Sequence, residues 1–498
     1  MDISRSTIAA LALSLAGPAT LPDVASAQDA GAVARAYLDR IAALDDAGPQ
    51  INAVITTNPD APEQAAKAQA AGLPLNGRTV LVKDNIETKE WPTTAGSLAL
   101  ADNATGRDAP LIVRLRAAGG VVLGKTNLSE WANFRDDNST SGWSGVGGLT
   151  RNPHATDRTA CGSSSGSGAA VAAGFAWAAI GTETDGSIVC PASINGIVGF
   201  KPTVGMVSRT LVVPISVSQD TAGPMATSVY DAALLLTAIS GSDPDDPATA
   251  EADAHKVDFT AGLAGASLKG VRIGVLRKRT GPRADVAALF DHALGDLRAA
   301  GAVLVDVDWE PNPDMNRDEF TVLLFEFREG VDAYLAGLPE QEEPRTLADL
   351  VMFNTDHADG ELRWFGQALF ELAQKATDRE AYLAARANSQ RLARAEGIDK
   401  LLADNDVAVL IAPTNNPAWT IDLVNGDHFT GGVGATGLAA VAGYPHLTVP
   451  MGAVEGLPIG LSIVGAKWHD AQVLQLGAAY ERARTADLHT PEFKRWGE

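Results

Sequence analysis

Three short stretches of this 498-residue chain carry residue types and spacings that can do chemistry. They are Cys161-Gly-Ser-Ser-Ser-Gly-Ser-Gly168, Thr182-Glu-Thr-Asp-Gly-Ser-Ile188 and Gly199-Phe-Lys-Pro-Thr203. The first two are serine-bearing glycine loops, and between them lies an apolar run, Ala169 to Ile180. That run is long enough for a buried helix and too short to cross a bilayer. A helix there folds the chain back and brings both loops to one face. One loop can then supply a nucleophile and the other a proton relay, as nucleophilic hydrolysis requires. A flexible Gly-Ser linker would sit in polar, low-complexity sequence, whereas this loop leads straight into an apolar segment. A phosphate-cradling loop would carry Lys-Ser or Lys-Thr after its last glycine, and Gly168 is followed by Ala169-Ala170.

At these residues the chain resembles the amidase signature family, the Ser-Ser-Lys hydrolases. The family pattern runs Gly-Gly-Ser-Ser-Gly-Gly-Ser, then Gly-Thr-Asp-x-Gly-Gly-Ser-Ile-Arg, then Gly-Leu-Lys-Pro-Thr, and this chain keeps the serines and their spacing. Val80-Leu-Val-Lys-Asp-Asn-Ile86 is similar to the family's lysine strand. Gly124-Lys-Thr-Asn-Leu-Ser-Glu130, Thr150-Arg-Asn-Pro153, Ala442-Gly-Tyr-Pro445, Val449-Pro-Met-Gly452 and Gly456-Leu-Pro-Ile-Gly-Leu461 resemble further landmarks. The resemblance extends over roughly residues 29 to 484. Glu130-Trp-Ala-Asn133, Ser141-Gly-Trp-Ser144, Val189-Cys-Pro191 and Ser218-Gln-Asp-Thr-Ala-Gly-Pro-Met225 are similar to the peptide amidase branch. Glu183, Asp185, Val189 and Cys161 stand where the wider family has Asp, Gly, Arg and Gly, so the wider family's substrates do not carry over.

The resemblance implies an α/β fold. It is a single large domain over residues 28–498, with a central mixed, twisted β-sheet covered by helices on both faces. Its catalytic core would span about 75–230, with a variable, substrate-side helical region at about 310–400. It also implies roles. Ser187 is the nucleophile, Ser163 the relay, preceded by a cis Gly162–Ser163 peptide, and Lys83 the base. The backbone N–H groups of Thr184, Asp185, Gly186 and Ser187 form the oxyanion hole. A free lysine has a pKa near 10.4, so burial must lower it by about 3 for Lys83 to act at neutral pH. Asp84 then points to the other side of the strand.

The residues also offer rivals. Gly162-Ser-Ser-Ser-Gly166 fits the Gly-x-Ser-x-Gly elbow, which would make Ser164 the nucleophile. The elbow follows an apolar strand, and Asp157-Arg-Thr-Ala160 is not one. A Ser-His-Asp triad would need one of eight histidines, of which His446 lies in a C-terminal landmark. No Cys/His cluster or His-Glu-x-x-His pattern suggests a metal, and no cofactor is implied. Lys125 and Lys201 read as structural, and Asp220 as a brace for the serine loops.

The elements that must position these groups follow from periodicity. Helices are expected at Asp29–Leu44, Leu111–Ala118, Ala284–Ala300, Phe320–Leu335 and Leu362–Ala395, and strands at Thr79–Val82, Val121–Leu123, Val271–Leu276, Ala302–Val307 and Val407–Ile411. Residues 135 to 153 read as a long loop. Phe325, Phe327, Trp364 and Phe365 read as core, with a cleft wall as the alternative.

A net charge of −22 and a pI near 4.7 argue against nucleic-acid or membrane partners. The partner expected is a small amide or peptide amide, bound by a monomer or homodimer. Cys161 and Cys190, both beside the serine loops, read as buried thiols, with a bridge as the alternative. Arg5, the run Ile8 to Leu15 and Ala25-Ser-Ala27 read as a secretory signal over residues 1–27. Its removal would place the protein in the periplasm or outside the cell; otherwise it is cytoplasmic. The activity expected is a metal-free serine amidase working through an acyl-enzyme, with peptide C-terminal amides as substrate and ester or carbamate hydrolysis within reach. The alternatives are an amidotransferase subunit that delivers ammonia to charged tRNA, and a binding protein without activity.

Overall fold

The computed structural model describes residues 29–339 and 344–498; the expected signal segment, 1–27, lies outside them. One mixed sheet organises the molecule. Its strands, in chain order, are β1 (Val54–Thr57), β2 (Thr79–Lys83), β3 (Val121–Thr126), β4 (Ala178–Glu183), β5 (Val198–Lys201), β6 (Thr221–Ala226), β7 (Arg272–Val275), β8 (Val303–Asp306), β9 (Val409–Pro413), β10 (His446–Val454) and β11 (Leu457–Val464). Across the sheet they run β1-β3-β2-β4-β6-β5-β10-β11-β9-β7-β8. β2 is parallel to both neighbours, β3 and β4, whereas β4, β6, β5, β10, β11 and β9 pair antiparallel in turn.

Alternation of side chains along the central strands feeds two cores. Val80, Val82, Ala178 and Ile180 face one side, where they meet helices carrying Leu111 and Leu115, Leu235 and Leu236, Phe290 and Leu294, and Val473 and Leu474. Leu81 and Ala179 face the other, against Ala34, Ile41, Ala65, Ala169 and Ala170. Helices therefore cover both faces. The first of them, α1 (Ala30–Leu44), is capped by Asp29, whose carboxylate accepts from Gly31 N–H at 2.9 Å.

The run from Ala169 to Ile180 is not one helix. A short helix, α2 (Ser165–Ala172), starts inside the serine loop, a turn follows, and the last three residues of the run, from Ala178, begin β4. The break is a glycine cap. Gly174 takes φ +70°, its N–H donates to Val171 O at 3.0 Å, and Phe175 N–H donates to Ala170 O at 2.9 Å. Both halves are buried on all sides, so neither shows the periodicity that would separate helix from strand. The second serine loop thus arrives on a strand beside β2.

The other expected elements form within a few residues of their expected bounds, with two exceptions. The helix expected from Phe320 begins seven residues earlier, at Pro313. The expected helix Leu362–Ala395 is two helices, Ala368–Lys375 and Arg379–Ala393, divided where the Asp378 side chain caps the second. A 24-residue helix, α3 (Pro313–Ala336), covers the first of the later helical segments, and α4 (Arg379–Ala393) packs beside it. Phe325, Phe327 and Phe365 are buried in the core and Trp364 is half-buried.

Cys161 and Cys190 are bridged, with Cα atoms 6.0 Å apart, and are not the separate thiols expected. They meet because the backbone of the two serine loops is joined: Ser164 N–H donates to Ser187 O at 3.1 Å. A cross-link closing a 29-residue separation restricts the unfolded chain by about 3–4 kcal/mol. For a chain this long that corresponds to a melting midpoint roughly 3–4 °C higher. Melting the protein with and without a reductant is expected to show that difference. An unchanged midpoint, with two thiols titratable in the native protein, would contradict the bridge.

Candidate active site

β2 ends on Lys83, and the strand before it is wholly buried. The pleat places Lys83 on the Leu81 side, where α2 packs, and Asp84 on the opposite side. There Asp84 pairs with Lys125 Nζ at 2.9 Å and accepts from Thr94 Oγ1. Lys125 also donates to Ile86 O and Thr93 Oγ1, so its role is structural.

The Lys83 amine is fully enclosed and has no carboxylate within ion-pair distance among the described residues. It donates to Ser163 Oγ at 2.8 Å, Thr182 Oγ1 at 2.8 Å and Thr182 O at 3.4 Å. Desolvation lowers its pKa to about 7, opposed by the more distant Asp220 and Glu183. An amine of that pKa exchanges its proton near neutrality, and its contact with Ser163 can then run in either direction.

Ser163 follows a cis Gly162–Ser163 peptide. Ser163 O accepts from Ser129 N–H at 3.0 Å, and a Cβ on Gly162 would lie 2.1 Å from Ser129 Oγ, so only glycine fits there. Ser164, the elbow rival, is engaged with backbone. Its Oγ donates to Thr182 O at 3.0 Å and accepts from Thr182 N–H at 3.2 Å, which leaves no reactive hydroxyl.

The second loop turns through Gly186 at φ +84° and delivers Ser187, which is 9 % exposed. Ser187 Oγ makes no hydrogen bond among the described residues; neither does the N–H of Asp185 or of Ser187. The Glu183 carboxylate collects the next two amides, Ile188 N–H at 2.8 Å and Val189 N–H at 3.0 Å. Of the four amides expected to surround an oxyanion, those of Thr184, Asp185, Gly186 and Ser187, none donates a hydrogen bond among the described residues. Asp220 braces the turn as expected: it accepts from Thr184 Oγ1 at 2.5 Å and from the N–H groups of Ile215 and Ser216.

No histidine reaches the serines or Lys83. His446 is buried on β10, donates to or accepts from Ser462 Oγ at 2.7 Å, and is held neutral by burial, with a pKa lowered to about 3. Lys201 bonds Pro202 O at 3.3 Å, away from the serines.

A cavity of about 530 Å³ opens over the two loops. Gly162, Asp185 and Gly186 lie in its floor, and Trp309, Trp419 and Phe429 give it apolar walls. Phe325, Phe327, Trp364 and Phe365 do not line it. Sequence reasoning missed Thr182, the second partner of Lys83, although it opens the second serine motif. It also missed Asn85, whose Nδ2 donates to Thr182 Oγ1 at 3.0 Å, and Glu319, which lines the cavity from α3. Glu319 had no local signal, because it lies over 100 residues further along the chain.

The sequence profile of the Amidase family matches residues 32–474. A probable amidase of Arabidopsis thaliana is 37 % identical over 466 residues, covering 90 % of this chain and 85 % of its own. A glutamyl-tRNA(Gln) amidotransferase subunit from Cupriavidus metallidurans is 35 % identical over 491 residues, covering 92 % of this chain and 94 % of its own. Among solved structures, the native peptide amidase from Stenotrophomonas maltophilia superposes with a TM-score of 0.89 at 48 % identity, over 94 % of this chain and 96 % of that one. The match runs through the sheet, the serine loops and the cleft above them, and the chain belongs to the amidase signature family, hydrolases of carbon–nitrogen amide bonds.

Proposed function

We propose that this protein is a serine amidase that hydrolyses the C-terminal amide of peptides, or similar small linear amides, through an acyl-enzyme. The observation that carries the reading is the 2.8 Å contact between an enclosed lysine of pKa about 7 and Ser163. The peptide-amide assignment draws on the 48 % identity to a peptide amidase and on a 530 Å³ cleft with apolar walls.

In this mechanism neutral Lys83 takes the Ser163 proton as Ser163 takes that of Ser187. The Ser187 oxygen then attacks the amide carbonyl. The carbonyl oxygen, now negative, is met by the unpartnered N–H groups of Asp185 and Ser187. Collapse of the adduct expels the amine. The proton it needs returns from Lys83 through Ser163. Water then attacks the ester by the same relay, releasing the acid and restoring Ser187.

Ammonia release from a peptide amide by the lone purified chain tests the substrate. Turnover only in the presence of partner subunits would favour the amidotransferase reading, which the Cupriavidus relative supports. Ser187→Ala is expected to abolish turnover with the fold retained. Ser164→Ala is expected to cost about 1–3 kcal/mol of stability through an unsatisfied backbone group while keeping kcat within a few-fold. Reversed outcomes would make Ser164 the nucleophile.

The amine is the working form of Lys83, so kcat/KM is expected to fall as pH drops through about 7 and to level off above it. Lys83→Ala should lose that limb and several orders of magnitude in amide hydrolysis. An alkoxide leaves with less need of a proton, so a matched ester should lose less. Equal losses on amide and ester would confine Lys83 to activating the nucleophile, and an unchanged rate on both would remove it from the mechanism.

A further inference from the structure

The oxyanion turn is held from outside by α3. Glu319 and Glu326 lie seven residues apart on it, two turns along one face. Both reach the segment Ser216–Asp220. Glu326 accepts from Ser216 Oγ at 2.5 Å, Ser218 N–H at 2.9 Å, Ser218 Oγ at 2.5 Å and Tyr382 OH, on α4, at 2.7 Å. Glu319 accepts from Gln219 Nε2 at 2.8 Å, and the same amide group donates to Thr184 O at 3.3 Å. Gln219 is 2 % exposed and Glu319 7 %.

Thr184 O belongs to the same planar peptide as the Asp185 N–H. In a trans peptide the two groups point in opposite directions. A donor fixed on Thr184 O therefore fixes where the Asp185 N–H points. That N–H makes no hydrogen bond among the described residues, and Asp185 lies in the cleft floor. Gln219 can hold the peptide this way only with its nitrogen toward Thr184. Reversed, it would set its own oxygen against Thr184 O, two acceptors with no proton between them. Glu319 holds the nitrogen end in place from the other side, its carboxyl accepting from Gln219 Nε2 at 2.8 Å.

We propose that Glu319 is a positioning residue for the oxyanion hole: it orients the Gln219 amide, and Gln219 in turn aims the Asp185 N–H at the reacting carbonyl. The proposal rests on the amidase mechanism above and adds a part of the variable helical region to its machinery. Glu319 acts as an acceptor, not as a charge. Burial, and then the Asp185 carboxyl beside it, hold its own carboxyl above the usual carboxylate range, so glutamine is close to an isostere of its working form.

The test is steady-state kinetics on any amide the wild type turns over, with active enzyme counted by complete acylation of Ser187. Glu319→Leu is expected to lower kcat by about 10²-fold, the size of effect seen when one oxyanion donor is lost, with KM within about twofold. Gln219→Met should give the same loss, and the double variant no further loss, because both remove one link. Glu319→Gln should recover most of the wild-type kcat. The proposal is overturned if Glu319→Leu retains wild-type kcat per active site, if it changes KM alone, or if Glu319→Gln is as impaired as Glu319→Leu. A wild type inactive on every amide and ester would instead remove the mechanism on which the proposal stands.

Discussion

The enclosure of the Lys83 amine without a carboxylate beside it is the constraint around which the rest of this structure is arranged. A lysine moved from pKa 10.5 to about 7 carries roughly 5 kcal/mol of unfavourable free energy relative to an exposed one. The cost is full below about pH 7, where the unfolded chain holds the proton and the fold resists it. It shrinks as pH rises and vanishes above 10.5, where both states are neutral. Such a group persists only if surrounding packing and hydrogen bonding offset the cost. Here the offset comes from a strand buried along its whole length, from a helix laid directly on the lysine's side of the sheet, and from Ser163 and Thr182 hydroxyls in place of water.

Keeping carboxylates away is the harder part in a chain with 61 acidic residues, because an ion pair would return the lysine to its usual range. The sheet solves the nearest case by its pleat. Asp84 is adjacent in sequence but faces the other side, where Lys125 takes it up. Glu183 and Asp220, the next nearest, are turned to other work. Glu183 gathers backbone N–H groups at the start of a short helix, and Asp220 gathers Thr184 and two backbone N–H groups. The same bonds that draw these acids away from Lys83 also shape the turn that carries Ser187. Lowering the lysine pKa and building the serine turn are one set of interactions.

The cleft is assembled from distant parts of the chain. Its floor is the serine loops, cross-linked by Cys161 and Cys190, while walls come from α3 and from residues beyond 400. A second buried cluster, Arg135 with Glu130 at 2.6 Å and Glu361 at 3.1 Å, anchors the loop after β3. That loop passes through three successive left-handed residues, Trp131, Ala132 and Asn133, and brings Asn133 to the cleft. One guanidinium serves both carboxyls, and burial, with Glu361 beside it, pushes the Glu130 carboxyl well above its usual range, toward its neutral form.

Much of this was legible in the sequence where a local pattern has a local cause. Ser-Gly spacing marked the two loops, the Val80-Leu-Val run marked a buried strand ending on Lys83, and strand alternation sent Asp84 away from it. Continuous apolar sequence carries no period, so Ala169 to Ile180 read as one helix, and only the Gly174 cap and pairing with β2 divided it into helix and strand. Two cysteines 29 residues apart carry no sign of bonding until the loops that hold them are packed together. Ser164 and Ser163 are adjacent and identical in type, and hydrogen bonding to Thr182 alone separates a structural hydroxyl from one facing the lysine. Glu319 shows the limit most clearly. Its effect on Thr184 passes through Gln219 across about 100 residues of chain, and contacts of that kind exist only once the sheet and α3 have brought the segments together.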